Sequence, residues 1–159
     1  MNKILILIII IIILYSICYF IFPEEISILQ MKKNNINIDT LLSKQPIVIE
    51  DNIDTNYIQK IFKYNIINLY NIKELWTRSQ FKYTLIYAKI DISIFISNPK
   101  YFSTKIPNEN DTVIEIKLKK YNSLILPFKW YYSLNEENKD TVIIQGIHDY
   151  ITYILSIIF

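Results

Sequence analysis

His148 and Asp149 form the one place in this 159-residue chain where an imidazole stands beside a carboxylate. A carboxylate that orients an imidazole can make it a general base. The spacing argues against that here. Residues 141–148 read as a strand, and neighbours on a strand point to opposite faces. His148 is therefore expected to be structural. It is also the only histidine, and no His/Cys set has metal-ligand spacing, so no metal or other cofactor is expected. The single glycine, Gly146, leaves no G-x-S-x-G elbow for a serine nucleophile. P-loops and dinucleotide fingerprints need several glycines and are excluded on the same ground. Cys18 is the only cysteine and lies in the apolar N-terminal run, so the rest of the chain has no disulfide and no thiolate. The expectation is a chain that is not an enzyme.

Binding chemistry is carried by aromatics. Trp130-Tyr131-Tyr132, with Phe128, could anchor a protein partner, because buried aromatics dominate many protein contacts. On one strand Phe128, Trp130 and Tyr132 would share a face, opposite Lys129 and Tyr131, and core packing is the plainer reading. Trp76-Thr77-Arg78 offers a cation near an indole, for stacking or for an anion; a solvated salt bridge is the plainer reading. Lys82-Tyr83 interleaves charge and ring as single-strand binders do. Against this, 17 basic and 15 acidic residues are scattered to a net charge of +2. No basic block exists to track a phosphate backbone, and nucleic acid is not an expected partner. Asn110-Asp111-Thr112 is a glycosylation sequon, relevant only if the domain faces a lumen.

The strongest element signal lies at the N-terminus. Residues 4–22 read ILILIIIIIILYSICYFIF, 19 residues without a charge. At about 1.5 Å per residue, such a helix nearly matches a hydrocarbon core of about 30 Å. Ile4 opens the run, Ile12 lies mid-way and Phe22 closes it, with aromatics crowding its end as at membrane interfaces. The run predicts a transmembrane anchor over 1–23, contact with a lipid bilayer through 4–22, and single-pass membrane localisation. A cleaved signal peptide is the rival, but it would be shorter and followed by small residues. Lys3 on one side and Lys32 and Lys33 on the other leave the orientation balanced.

Residues 24–39 read as a juxtamembrane linker and 40–159 as a β-rich domain. Asp39 is expected to cap a short helical turn over 36–43, and Asp54 a helix running through Tyr64. Residues 46–50 form a short β-branched run. Residues 81–89, 90–97 and 112–119 alternate apolar and polar, which places one face on a core and one in water. Residues 124–134 read as one strand whose Pro127 belongs at an edge or bulge. Residues 135–140 read as a turn, 141–148 as a strand, and 150–159 as a strand or a helix. The pattern predicts a mostly β chain with one N-terminal transmembrane helix, its domain a small barrel or sandwich with one or two short helices.

Two segments carry a resemblance. Residues 41–51, LLSKQPIVIED, resemble the opening of cupin-like domains of the JmjC type, where a short helix leads into a Pro-started hydrophobic strand. Residues 116–132, IKLKKYNSLILPFKWYY, resemble the family stretch L-x-x-G-D-x-L-x-I-P-x-x-W-W-H, which forms a hairpin of the double-stranded β-helix. Small membrane-anchored versions look similar to proteins of large DNA viruses. The resemblance implies a cupin-like barrel with Pro127 and Trp130 as structural positions. It does not carry the family's iron site, which uses His-x-Asp/Glu and a later His. This chain has no such pair, and Tyr132 stands where the final His would be. The resemblance thus implies a membrane-anchored, non-catalytic domain with a structural or protein-interaction role. The alternative is a metal-dependent hydroxylase with unconventional ligands, such as Glu115 or Asp149 with His148.

Overall fold

A computed structural model of the chain describes residues 3–23, 25–71, 75–101, 112–134 and 140–158. In chain order the elements are α1 (Lys3–Tyr19), β1 (Leu29–Met31), α2 (Ile38–Leu42), β2 (Ile47–Ile49), α3 (Thr55–Ile61), β3 (Ile66–Tyr70), β4 (Trp76–Arg78), β5 (Tyr83–Ala88), β6 (Ile92–Ser97), β7 (Val113–Leu118), β8 (Ser123–Pro127), β9 (Tyr131–Leu134), β10 (Val142–His148) and α4 (Tyr150–Ile158). The sequon residues Asn110 and Asp111 and most of the expected 135–140 turn lie outside the described residues.

The strands form two sheets, one ordered β1-β2-β8-β5-β10-β3 and the other β4-β9-β6-β7. The pairing is nested. β3 pairs with β10, β4 with β9, β5 with β8 and β6 with β7, all antiparallel. A long hairpin rolled on itself gives this pattern, which is that of a jelly roll. β1 and β2 extend the larger sheet beyond β8, with β1 parallel to β2.

Between the sheets lies the main core. The larger sheet contributes Val48, Ile86, Leu124, Leu126 and Ile144; the smaller contributes Ile94, Ile96, Ile116, Leu118, Tyr132 and Leu134, with Trp130 among them. A second core covers the outer face of the larger sheet. There Ile47, Leu85, Ile125 and Ile147 meet Ile58 and Phe62 from α3 and its end. The central strands of the larger sheet are therefore buried on both faces, and residues 81–89 do not follow the one-sided expectation. Thr84 is fully buried, its hydroxyl bonded to the Ser79 hydroxyl at 2.6 Å. On the smaller sheet Ile92, Ile94 and Ile96 point inward on β6 as expected, but Ile90 is exposed, Ser97 is fully buried and every residue of β9 is buried, so the alternation expected over 90–97 holds only in its middle.

Three sequence expectations are corrected in detail and one left open is decided. Residues 124–134 form two strands rather than one: β8 lies in the larger sheet and β9 in the smaller, so the chain crosses between sheets at Phe128–Trp130 and makes no two-stranded hairpin. The corner needs a left-handed residue, and Lys129 supplies it with φ 66°. In consequence Phe128 leaves the face of Trp130 and Tyr132 and packs with Ile151 instead. Second, Asn37 caps α2, its side chain accepting from the Thr40 amide while the Thr40 hydroxyl accepts from the Asn37 amide. Asp39 lies inside the first turn. Third, of the expected 24–39 linker, residues 25–39 are built into the domain: β1 pairs with β2, Ile26 and Ile28 pack on the main core, and Gln45 bonds Ser27 and Glu25 backbone groups. Of the strand and helix readings open for 150–159, the helix is found, over Tyr150–Ile158. Asp54 caps α3 as expected, although α3 stops at Ile61.

The transmembrane expectation is also overturned. Among the described residues no helix is long and apolar enough to cross a membrane. α1 has 17 residues, about 25 Å at 1.5 Å per residue against a hydrocarbon core of about 30 Å. It ends before Phe22 because the Phe20 amide closes on the Ile17 carbonyl and the chain leaves the helix there. A single-pass membrane localisation is therefore not supported.

Candidate interaction site at the foot of the N-terminal helix

α1 is apolar on every face. Ile4 is 66% exposed and Ile12 48% exposed, and most of the isoleucines between them are similarly open. Its last turns and the residues just beyond meet the domain through Tyr15, Cys18, Phe20 and Ile21. An α-helix leaves its last carbonyls without partners and its C-terminal end partly negative. Here the domain supplies the cation. Lys44 Nζ bonds the Cys18 carbonyl and, at 2.8 Å, the Ile21 carbonyl. Lys44 reaches them from a left-handed backbone position, φ 54°, just after α2. Its burial there lowers its pKa, with Cys18 pulling the other way.

Lys129 completes the junction from the β8–β9 corner. Its ammonium lies 4.0 Å from the centroid of the Phe20 ring and 5.4 Å from that of Phe128, and the two rings meet edge-on at 6.2 Å. Burial, helped by the nearby Arg78 cation, brings its pKa down to about 8. The corner itself is held by the Ser79 backbone, which bonds the Lys129 amide at 2.7 Å and the Trp130 carbonyl at 2.8 Å.

A third contact runs through Asp149. Its Oδ1 caps α4 by accepting from the Thr152 amide, and its Oδ2 takes Lys82 at 3.1 Å and the Tyr15 hydroxyl at 3.1 Å. One carboxylate thus ties α1, α4 and the start of β5 together. Between these contacts lies a groove lined by Tyr15, Leu41, Leu42, Tyr83, Pro127 and Phe128, with Lys44 and Lys82 at its rim. The Tyr83 hydroxyl donates to the Leu41 carbonyl at 3.2 Å, and burial pushes its pKa well up. Tyr83 is therefore a neutral donor at ordinary pH and not a base.

The residues singled out in the sequence are not gathered here. Trp130 is fully buried and Tyr132 is 1% exposed, both in the main core. Burial raises the Tyr132 pKa strongly, and its hydroxyl and the Trp130 Nε1 have no hydrogen-bond partner among the described residues. Trp76 is half-buried on β4 opposite Ser133; Arg78 lies over the Tyr131 ring rather than over Trp76. Phe22, expected as the end of an anchor, is a half-buried residue beyond α1. His148 is buried between the Phe81 ring at 4.6 Å and the Tyr153 ring at 5.6 Å. Glu115 is in the other sheet, bonded to the Ser93 hydroxyl, and is not brought to His148. Among the described residues no group of three His, Cys, Asp or Glu side chains is arranged to hold a metal.

The junction residues Tyr15, Lys44, Lys82, Lys129 and Asp149 were not marked by the sequence as a set. They are far apart along the chain and become neighbours only because the β8–β9 corner and the α2–β2 turn meet at one end of the roll. No family model, no curated protein sequence and no solved structure matches this chain. The resemblance to cupin-like and viral proteins finds no support from that side.

Proposed function

We propose that the chain is a non-catalytic, cupin-like module that associates with a lipid bilayer through α1 and presents its jelly roll for contact with a protein. The observation that carries the non-catalytic part is Tyr132. It occupies the position of the metal-binding histidine in the resemblance, and it is packed at 1% exposure between the sheets. Trp130, Ile94, Ile96 and Leu124 fill the same interior. A barrel that uses its interior as core has no volume left there for a substrate. The nested strand pairing supports the cupin-like reading.

The lipid part rests on α1. A helix lying at an interface has one polar face; α1 has none. Its exposed isoleucines favour an environment that is apolar all round, at about 25 cal/mol per Å² removed from water. At about 25 Å, α1 is taken up in such a phase without reaching across it. The protein-contact part is supported by the edge strand β3, where Leu69 is 76% exposed and Ile66 40% exposed. An open edge with apolar side chains suits strand addition by a partner.

Flotation of the full chain with phosphatidylcholine vesicles tests the lipid part. The native chain is expected to float, and a chain carrying Ile8→Asp and Ile12→Asp is expected to stay behind. A native chain that stays in the aqueous fraction overturns it. A second reading, a hydroxylase with unconventional ligands, has one observation in its favour: the buried Nδ1 of His148 has no hydrogen-bond partner among the described residues. Elemental mass spectrometry separates the two. Stoichiometric iron, abolished by His148→Phe, would replace the non-catalytic reading.

A further inference from the structure

The groove at the foot of α1 joins two kinds of surface. Its walls, Leu41, Leu42, Pro127 and Phe128, are apolar and continue the apolar surface of α1. Leu42 is 64% exposed, Ile38 on the same short helix 74%, and Ile21 just past α1 61%. Its rim is cationic. Lys44 and Lys82 line it, and Lys129 stands over Phe128, with the Arg78 cation near Lys129. Among the described residues no carboxylate lines the groove, and Asp149, which contacts its Lys82 and Tyr15, is already engaged by them. Net positive charge over an apolar slot matches a molecule with an anionic head and a hydrocarbon tail. Lipid with such a head is present wherever an apolar helix meets an anionic bilayer.

We propose that this groove binds one anionic phospholipid from the bilayer that receives α1. The acyl chain lies along Leu41, Leu42, Pro127 and Phe128, and the phosphate lies near Lys44 and Lys82. The site rests on the reading of α1 as a lipid-associated helix. It adds a specificity that α1 lacks, because an uncharged helix cannot distinguish one headgroup from another. Each lysine close to an anionic headgroup strengthens association about fivefold.

The test uses the full chain in phosphatidylcholine bilayers with and without about one-third phosphatidylglycerol. After mild detergent extraction, native mass spectrometry counts the lipids that remain. One phosphatidylglycerol per chain is expected, retained in preference to phosphatidylcholine. Leu42→Asp, at an exposed position, should lose that lipid, and Lys82→Gln should weaken its retention about fivefold. Lys117→Gln, on the smaller sheet, should retain it. A chain that associates with both bilayers but keeps no lipid, or keeps both kinds equally, overturns the groove and leaves the α1 reading standing. A chain that associates with neither bilayer overturns the α1 reading and the groove with it. Equal retention by native chain and Leu42→Asp also overturns the site.

Discussion

The ring of Phe81 lies so close over Gly146 that a β-carbon on the glycine would sit 2.3 Å from two ring carbons. Phe81 cannot easily retreat, since it packs edge-on against Tyr70 at 5.2 Å and against His148 at 4.6 Å. The only glycine in the chain therefore marks a close approach of a ring to the backbone of β10. Gly146→Ala should destabilise the domain by about 1–3 kcal/mol through overpacking. Adding Phe81→Ala should recover part of that loss, because the two changes meet in one contact. Thermal denaturation of the two single variants and the double variant checks this; strictly additive losses would contradict it.

Tyr132 gives a second expectation. Its ring is core, but its hydroxyl is buried without a partner among the described residues. Such an oxygen costs about 1–3 kcal/mol of desolvation that no hydrogen bond returns. Tyr132→Phe should therefore leave the fold unchanged in stability or raise it by up to about 1 kcal/mol. Trp130→Ala, which empties a fully buried site, should cost about 3–5 kcal/mol. Urea denaturation of both variants gives the comparison. A large loss in Tyr132→Phe would mean that the hydroxyl has a role in the interior.

How much of this was legible in the sequence follows from the range of each interaction. The Asp54 cap is a local signal and holds; the alternation expected over 90–97 holds at 92–96 and fails at its ends, where Ile90 is exposed and Ser97 is buried with its hydroxyl on the Thr112 carbonyl. The 81–89 strand was misread because periodicity reports polarity, and Thr84 is polar yet buried through a bond to Ser79. Residues 150–158 were ambiguous because short apolar runs suit strand and helix alike. The split of 124–134 depends on the left-handed Lys129, a conformation no lysine advertises. The foot of α1 was invisible for the same reason. Lys44 and Cys18 are 26 positions apart, and the bond between them exists only once the roll closes.

His148 links the stability of the fold to pH. Burial lowers its pKa, against a smaller opposing effect of Asp149. The folded state keeps the imidazole neutral where the unfolded chain, with a pKa near 6.5, already takes a proton. The contribution is fully present above that value and is lost as pH falls toward the lowered folded pKa. The melting temperature should therefore drop as pH falls below about 6.5. His148→Phe should flatten this window. An unchanged slope in that variant would assign the drop to other groups.

Lys44 separates backbone strain from side-chain bonding. Its left-handed φ costs a non-glycine residue about 1–2 kcal/mol, while its ammonium holds the end of α1. Lys44→Ala loses the ammonium and keeps the strain. Lys44→Gly loses the ammonium and relieves the strain. The glycine variant should be the more stable of the two by about 1 kcal/mol, the reverse of the order in a helix interior. Both should expose the 20–23 segment to proteolysis. Equal protease sensitivity in the native chain would show that the lysine does not secure α1.

The last expectation concerns where the domain begins. A chain starting at residue 34 follows the sequence reading of 24–39 as linker. It would lack β1, which pairs with β2, and Ile26 and Ile28, which pack on the main core. It would also lose the Lys33 amide bond to Asp51 at 2.9 Å and the two bonds from Gln45. Half-burying two isoleucines is worth about 2–3 kcal/mol, a large share of the stability of a domain this size. A chain starting at residue 23 keeps all of these contacts and loses α1 with Phe20, Ile21 and Phe22. The shorter chain should melt well below the longer one and show weaker near-ultraviolet dichroism from its aromatic core. Matching melting curves would return 24–33 to the role of a linker, and β1 would then be an edge that the jelly roll does not need.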